Sequence, residues 1–403
     1  MALNAKLAMP LETAQPAAQG RPDVVAFLAD AESEAVVRQA LGERAQAPGS
    51  IHRGDVGKAI EFLTEQRSPG LLIVDVSGVD LPVSQIIRLA EVCEPGVNVI
   101  AVGDRSEIGL YRDLLHAGVT DYIAKPLTRE LVQKSVQLAT GNQDVGRISQ
   151  KLGKLVTVMG TRGGIGTTTI AVNLAWHLAN KFGRRVALVD LDLQTGDCGL
   201  MLDLKATPGL REALDNPYRI DNLFLERVMT SHGNRLFVLS AQESLRDELR
   251  FTPEAAETLV SGLQTQFHYV VVDMPRLPSA ATQRVIDLAA LRIIVADETI
   301  KSAREIVRLK SVLGDGDTSH TNLLIVNRSG EKSQGFIPAS EFKDAVQMQP
   351  LLTIPFQAVG RGKPATFELP AAVGRGRMAE AIGQLAAEVS GRHAELKLRR
   401  RWW

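Results

Sequence analysis

Cysteine is nearly absent. The 403 residues hold only Cys93 and Cys198, far apart and with no CxxC or Cys/His cluster around either. That speaks against a structural zinc and points to a reducing compartment. Net charge is absent too, because 46 Lys and Arg balance 46 Asp and Glu. Such a chain has no general attraction for nucleic acid or anionic lipid, so no specific nucleic-acid partner is expected. No apolar run approaches the roughly 20 residues of a membrane-spanning helix, since "VIDLAALRIIVA" is broken by Asp287 and Arg292. The start, "MALNAKLAMPLETAQPAAQGRP", has no sustained apolar segment; it does not read as a signal peptide, and the chain is expected in the cytoplasm. The seven histidines are scattered, and no Ser-His-Asp or Cys-His constellation can be argued.

What is present is an ordinary globular composition, 45% hydrophobic and 23% charged, in a chain long enough for two or three domains. Residues 1–20 read as a flexible tail rich in Ala, Pro and Gln. From Arg21, short β-branched runs such as "VVAFLA", "LLIVD", "VNVIAV" and "DYIA" alternate with segments of helical spacing, which predicts a parallel sheet covered on both faces over 21–139. Residues 140–153 have the composition of a linker. A second alternation over 154–391 contains six buried-type strands: "LVTVM", "VALVD", "RLFVLS", "YVVVD", "LRIIVA" and "NLLIVN". The fold class expected is α/β, with two doubly wound parallel-sheet domains. In "TTIAVNLAWHLANKFG", Ile170, Leu174, Leu178 and Phe182 fall four apart on one helical face.

Between the first strand and the first helix of the second domain lies "GTRGGIG". Strand, glycine loop and helix, in that order, are what a phosphate cradle requires. The glycines let the backbone approach an oxygen-rich group, and the helix start adds partial positive charge. Asp190 and Asp192 in "LVDLDLQTGD" and Asp273 in "YVVVDMPRLPS" stand at strand ends, where a parallel sheet opens its ligand crevice. Three acids beside such a loop suit a magnesium ion on phosphates, with Thr168 adding a hydroxyl ligand.

At this point the second domain resembles the ParA/MinD class of P-loop ATPases, whose deviant loop reads Lys-Gly-Gly-x-Gly-Lys-Thr-Thr. Here the stretch is Arg162-Gly163-Gly164-Ile165-Gly166-Thr167-Thr168-Thr169. The resemblance implies ATP and Mg2+ as cofactors and a nucleotide-sandwich homodimer, in which Arg162 replaces the lysine that reaches the partner's nucleotide. It implies that Asp192 positions water and metal, that Thr168 and Asp273 serve the metal, and that Asn327 recognises adenine. Two departures stand out. Thr167 replaces the lysine that contacts the β- and γ-phosphates, and Leu277 replaces the glycine of the second switch. Both point to slow or absent hydrolysis.

The first domain resembles a response-regulator receiver, with Asp75 as phosphoacceptor, Asp30 on the metal side and Lys125 before Pro126 at the end of the fifth strand. Ala29 reduces the acidic pair, and Gly103 replaces the switch Ser/Thr, so docking or dimerisation is favoured over phosphorylation. A receiver-like domain followed by a degraded ParA/MinD-like loop resembles the CpaE/TadZ family of Flp (Tad) pilus assembly proteins. That implies a scaffold that places the pilus secretion ATPase and other Tad components at a cell pole or the inner membrane face. A slow ParA/MinD-like ATPase and a phosphorelay output protein acting through Asp75 are the alternatives. The end, "LKLRRRWW" within 392–403, suits weak contact with a membrane surface.

Overall fold

The computed structural model describes residues 21–45, 47, 49–141, 152–247, 251–276, 279–314, 319–331, 335–356 and 376–391. The tail expected at 1–20, residues 142–151 of the expected linker, Leu277 and the basic, aromatic end 392–403 lie outside these residues.

In the first domain β1 (Val24–Leu28), β2 (Ile51–Arg53), β3 (Leu71–Asp75), β4 (Asn98–Gly103) and β5 (Asp121–Ala124) form one sheet in the order β2-β1-β3-β4-β5, and every pairing is parallel. Parallel neighbours need crossover connections, and helices provide them on both faces. That is why β1 is apolar at every position. Val24, Ala26 and Leu28 pack with Val37, Leu41 and Val132 on one side, while Val25 and Phe27 pack with Leu63, Ile86 and Leu114 on the other. The order reverses between β1 and β3, and a ligand crevice opens at such a point.

The second sheet has eight strands, β6 (Lys154–Gly160), β7 (Val186–Asp190), β8 (Thr230–His232), β9 (Leu236–Leu239), β10 (Tyr269–Asp273), β11 (Leu291–Ala296), β12 (Thr321–Ser329) and β13 (Pro350–Pro355). Its order is β13-β12-β11-β6-β10-β7-β9-β8, parallel except for β8, which runs antiparallel to β9. The sequence predicts six of these strands and misses the two at the edges. β8 is the short polar "TSH", and β13 carries a proline at each end, a composition that edge strands tolerate. β6 lies near the centre, so the glycine loop after it opens between the ends of β10 and β11.

The helix Thr167–Asn180 buries Ile170, Leu174 and Leu178, as its spacing predicts. It also buries Ala171, Val172, Ala175 and Ala179, because the helix Arg377–Ser390 lays Ile382, Leu385, Ala386 and Val389 into the same core. A helix covered on two sides is apolar over more than one stripe.

The two domains meet beside the residues that precede β7 and β10. The Arg185 guanidinium lies over Phe237 and Phe267, at 4.3 and 4.8 Å from their ring centroids. Arg67 of the first domain bridges Glu94 at 3.5 Å and, across the boundary, Glu226 at 2.8 Å. Arg235 donates back to the Thr64 carbonyl. His268 Nδ1 accepts from the Arg185 backbone N–H at 3.1 Å, and burial pushes this imidazole down to about 3.

Candidate functional site

Gly160 ends β6, and the helix Thr167–Asn180 starts at Gly166, which caps it without a side-chain hydrogen bond. Gly164 and Gly166 have φ of 72° and 93°, left-handed backbone that any Cβ would strain. A Cβ on Gly163 or Gly164 would meet open space, so no described side chain covers this side of the loop. The first-turn N–H groups of a helix have no acceptor within it. Here they follow directly on the uncovered loop, an arrangement that suits an anionic group. Ile165 is the loop's anchor, fully buried in the core. Three further contacts fix the loop from behind: Thr161 Oγ1 to Ser302 Oγ at 2.9 Å, Asn327 Nδ2 to the Ile165 carbonyl at 2.7 Å, and Arg328 Nη1 to the Gly164 carbonyl at 3.0 Å. The loop is thus held at Thr161, Gly164 and Ile165 by packing and hydrogen bonds from β11, β12 and the helix after β11. A Cβ on Gly160 would collide with Thr167 Oγ1, which places the threonine hydroxyl at the root of the loop.

Arg162 is already engaged within its own chain. Its Nε donates to Asp297 Oδ2 at 2.9 Å, and its Nη2 donates to the same oxygen. Asp297 Oδ1 accepts from Thr299 Oγ1 at 2.8 Å and Ser302 Oγ at 2.5 Å. Burial pushes this carboxyl up, but the bonds from Arg162, Ser302 and Thr299 outweigh it and hold the group below its ordinary range. Asp297 is a partner of the loop that sequence reasoning missed; it carries no motif and is recognisable only because β11 ends beside β6.

The acids divide into two groups. Asp192 caps its own turn, accepting from Thr195 N at 2.9 Å and Thr195 Oγ1 at 2.6 Å. Asp190 and Asp273, at the ends of neighbouring strands, are buried instead. Asp190 accepts from the backbone N–H of Cys198 at 3.0 Å and of Asp192 at 3.2 Å, yet burial pushes it up to about 6. Burial, and then the charge of Asp190, push Asp273 up to about 7, against the pull of the neighbouring Thr168 hydroxyl and Cys198 thiol. Among the described residues Asp273 Oδ1 is buried with no hydrogen-bond partner, as befits a cation ligand. Of the three metal-side residues expected from sequence, the structure brings Thr168 and Asp273 together, while Asp192 turns toward Thr195. Asp190 and Cys198 stand beside Asp273 instead. Asn327, expected at adenine, commits its amide N–H to the loop, and the adjacent Arg328 is itself in left-handed backbone at φ 59°.

Residues 153–334 match the family model "Cellulose biosynthesis protein BcsQ". The septum site-determining protein MinD of Bacillus subtilis is 25% identical over 179 residues, 44% of this chain and 65% of its own length, just under two thirds. An uncharacterized ATP-binding protein of Methanocaldococcus jannaschii is 24% identical over 249 residues, 61% of this chain and 91% of its own. Over these residues the second domain is similar to MinD proteins and to an ATP-binding protein. A solved structure of a pilus assembly protein CpaE from Caulobacter crescentus is 30% identical, covers 29% of this chain and 97% of that one, and has a TM-score of 0.26.

The second domain is preceded by a second constellation, at the switch point of the first sheet. Lys125 Nζ lies 2.6 Å from Asp30 Oδ2 and 2.7 Å from Asp75 Oδ2. The Lys125 hydrogen bond, with the Ser33 backbone N–H, holds Asp30 down at about 2. Asp75 is fully buried; Oδ2 also accepts from Ala29 N at 3.0 Å, and Oδ1 from Ser77 N at 2.9 Å. Asp30, Asp75 and Lys125 are thus brought together, with the lysine ammonium between the two carboxylates. At Gly103 the structure gives a reason for the missing hydroxyl. A Cβ there would run into the Tyr122 phenol, which is turned inward and donates to the Arg105 carbonyl at 2.6 Å.

Proposed function

We propose that this chain is a nucleotide-dependent dimeric scaffold that binds ATP with Mg2+ and hydrolyses it slowly or not at all. The observation that carries this reading is a glycine loop between β6 and the helix Thr167–Asn180, with Thr167 where the loops it resembles carry lysine. The missing charge-assisted hydrogen bond is worth about 1.5–3 kcal/mol, which weakens nucleotide binding by about ten- to a hundredfold and leaves the backbone cradle in place. Catalysis loses more, because a donor aimed at charge developing in the transition state contributes about 2.7–4 kcal/mol to the barrier. No other ammonium from this loop can replace it, and Arg162 is turned to Asp297. When bound, the cation supplies charge neutralisation at the phosphates; Thr168 and Asp273 are the residues that hold it.

The wider role follows the resemblance of the two-domain combination to the Flp pilus scaffolds. In this reading the receiver-like domain docks a component of the secretion machinery, and the nucleotide-bound homodimer sets its place at a pole or the inner membrane face. The paired use of Lys125 and both Asp75 oxygens within the domain, with Tyr122 under Gly103, favours docking over phosphorylation. Nucleotide affinity and turnover of the wild type beside Thr167→Lys test the core of the proposal. Binding at micromolar to millimolar ATP with negligible turnover is expected, and turnover equal to that of the Thr167→Lys protein would defeat it. Retention of the pilus secretion ATPase on the full chain, lost on deleting residues 21–139, tests the docking role.

A further inference from the structure

We propose that the nucleotide site, on whose existence this inference rests, holds its base on a platform made by the Arg328 guanidinium and the Phe356 ring, and so takes ATP and GTP almost alike. An asparagine selects adenine with its whole amide, donating to a ring nitrogen and accepting from the exocyclic amine. Asn327 does not present that edge. The residue is buried, and its Nδ2 donates to the Ile165 carbonyl at 2.7 Å. The amide also lies so close to Gly166 that a Cβ there would come within 2.6 Å of Nδ2. The group that would tell adenine from guanine is therefore committed to the loop.

What the end of β12 offers outward is the next residue. Arg328 sits at φ 59°, left-handed backbone that a non-glycine residue keeps only where its surroundings hold it. Here they hold it along its edges. Nε and Nη2 donate to the two Glu331 carboxylate oxygens at 2.6 and 2.7 Å, and Nη1 donates to the Gly164 carbonyl at 3.0 Å. A planar group bonded in this way is left with its faces for recognition. One face meets Phe356, with Cζ 5.3 Å from the ring centroid. The Phe356 N–H donates to the Ser329 carbonyl at 2.9 Å, which ties the ring to the same strand end. The Arg328 side chain keeps 36% exposure and Phe356 41%, so a flat surface remains open within hydrogen-bond distance of the phosphate loop. Every base has a π face, so stacking adds affinity without reading the base edge. Strong rejection of an analogue comes from a buried hydrogen-bonding group left unpaired, and Asn327 is already paired.

The test is calorimetric titration of the full chain with ATP, GTP and inorganic triphosphate, each with Mg2+. ATP and GTP are expected to bind within about threefold of each other, and triphosphate about 5- to 100-fold more weakly, the share that stacking one base contributes. Phe356→Ala should lower the affinities for ATP and GTP by the same factor, about fivefold or more, and leave that for triphosphate unchanged. Phe356→Trp, which keeps an aromatic face, should retain all three and so guards against a folding defect. GTP rejected by about thirtyfold or more, or ATP affinity unchanged in Phe356→Ala, overturns the proposal. A Phe356→Ala protein that loses triphosphate in step with ATP overturns it too, because the ring then braces the loop and not the base. A wild type that binds none of the three ligands defeats the nucleotide reading itself, whereas one that binds triphosphate and ATP but rejects GTP defeats this inference alone.

Discussion

At the scale of single residues the site is a set of competing charges. Arg162 cannot serve a second nucleotide while it is bonded to Asp297, and leaving that buried acid unpaired costs about 3–5 kcal/mol. Asp297→Asn should therefore raise the ATP-dependent dimer fraction, measured by sedimentation, whereas Arg162→Ala should abolish it; a dimer insensitive to both changes shows that the arginine takes no part. Thr167→Lys should tighten nucleotide binding by about ten- to a hundredfold, read by calorimetry. The sequence made Arg162 and Thr167 legible because the glycine spacing indexes them, and Asp273 because it ends the apolar run YVVVD. It could not reveal Asp297, Tyr122 or Cys198, because each acquires its role from a neighbour distant in the chain. Gly103 was visible as a departure, but its cause was not, since the phenol that fills its space is nineteen positions away.

At the scale of elements, the phosphate loop is a strained segment braced by β12. Gly166 sits at φ 93°, and a Cβ there would come within 2.6 Å of Asn327 Nδ2. Gly166→Ala should thus both strain the backbone and displace the brace, and nucleotide binding should be lost even though the fold persists in circular dichroism. Asn327→Leu leaves the Ile165 carbonyl buried without its donor. A loss of about 1–3 kcal/mol in unfolding free energy is expected from urea titration, and a loss confined to nucleotide affinity would mean that Asn327 acts on the base alone. Strands with every position buried were easy to read from their β-branched runs, because a parallel sheet covered twice makes each residue apolar. The short polar β8 and the proline-flanked β13 were not, because pairing at a sheet edge is decided by what the neighbour offers.

At the scale of the whole molecule, the boundary between the domains is set by cations and aromatic rings, with His268 neutral among them. Folded, this imidazole stays unprotonated down to about pH 3 because burial, and then Arg184, disfavour its charge; unfolded, it takes a proton near its ordinary 6.5. The unfolded chain therefore binds the extra proton between those values, so the stability His268 contributes is present above about pH 6.5 and drains away as pH falls toward 3. Melting curves from pH 7 to pH 4 should show a shallower decline for His268→Gln than for wild type, and parallel curves would remove His268 from the account. The boundary lies at the starts of β7 and β10, while Asp190 and Asp273 lie at the opposite ends of those strands and the phosphate loop follows the same end of the neighbouring β6. Two copies joined face to face across their nucleotides would thus hold their receiver-like domains outermost, like the weights of a dumbbell. In the proposed dimer, a docking contact too weak to hold singly would become firm only while the pair exists.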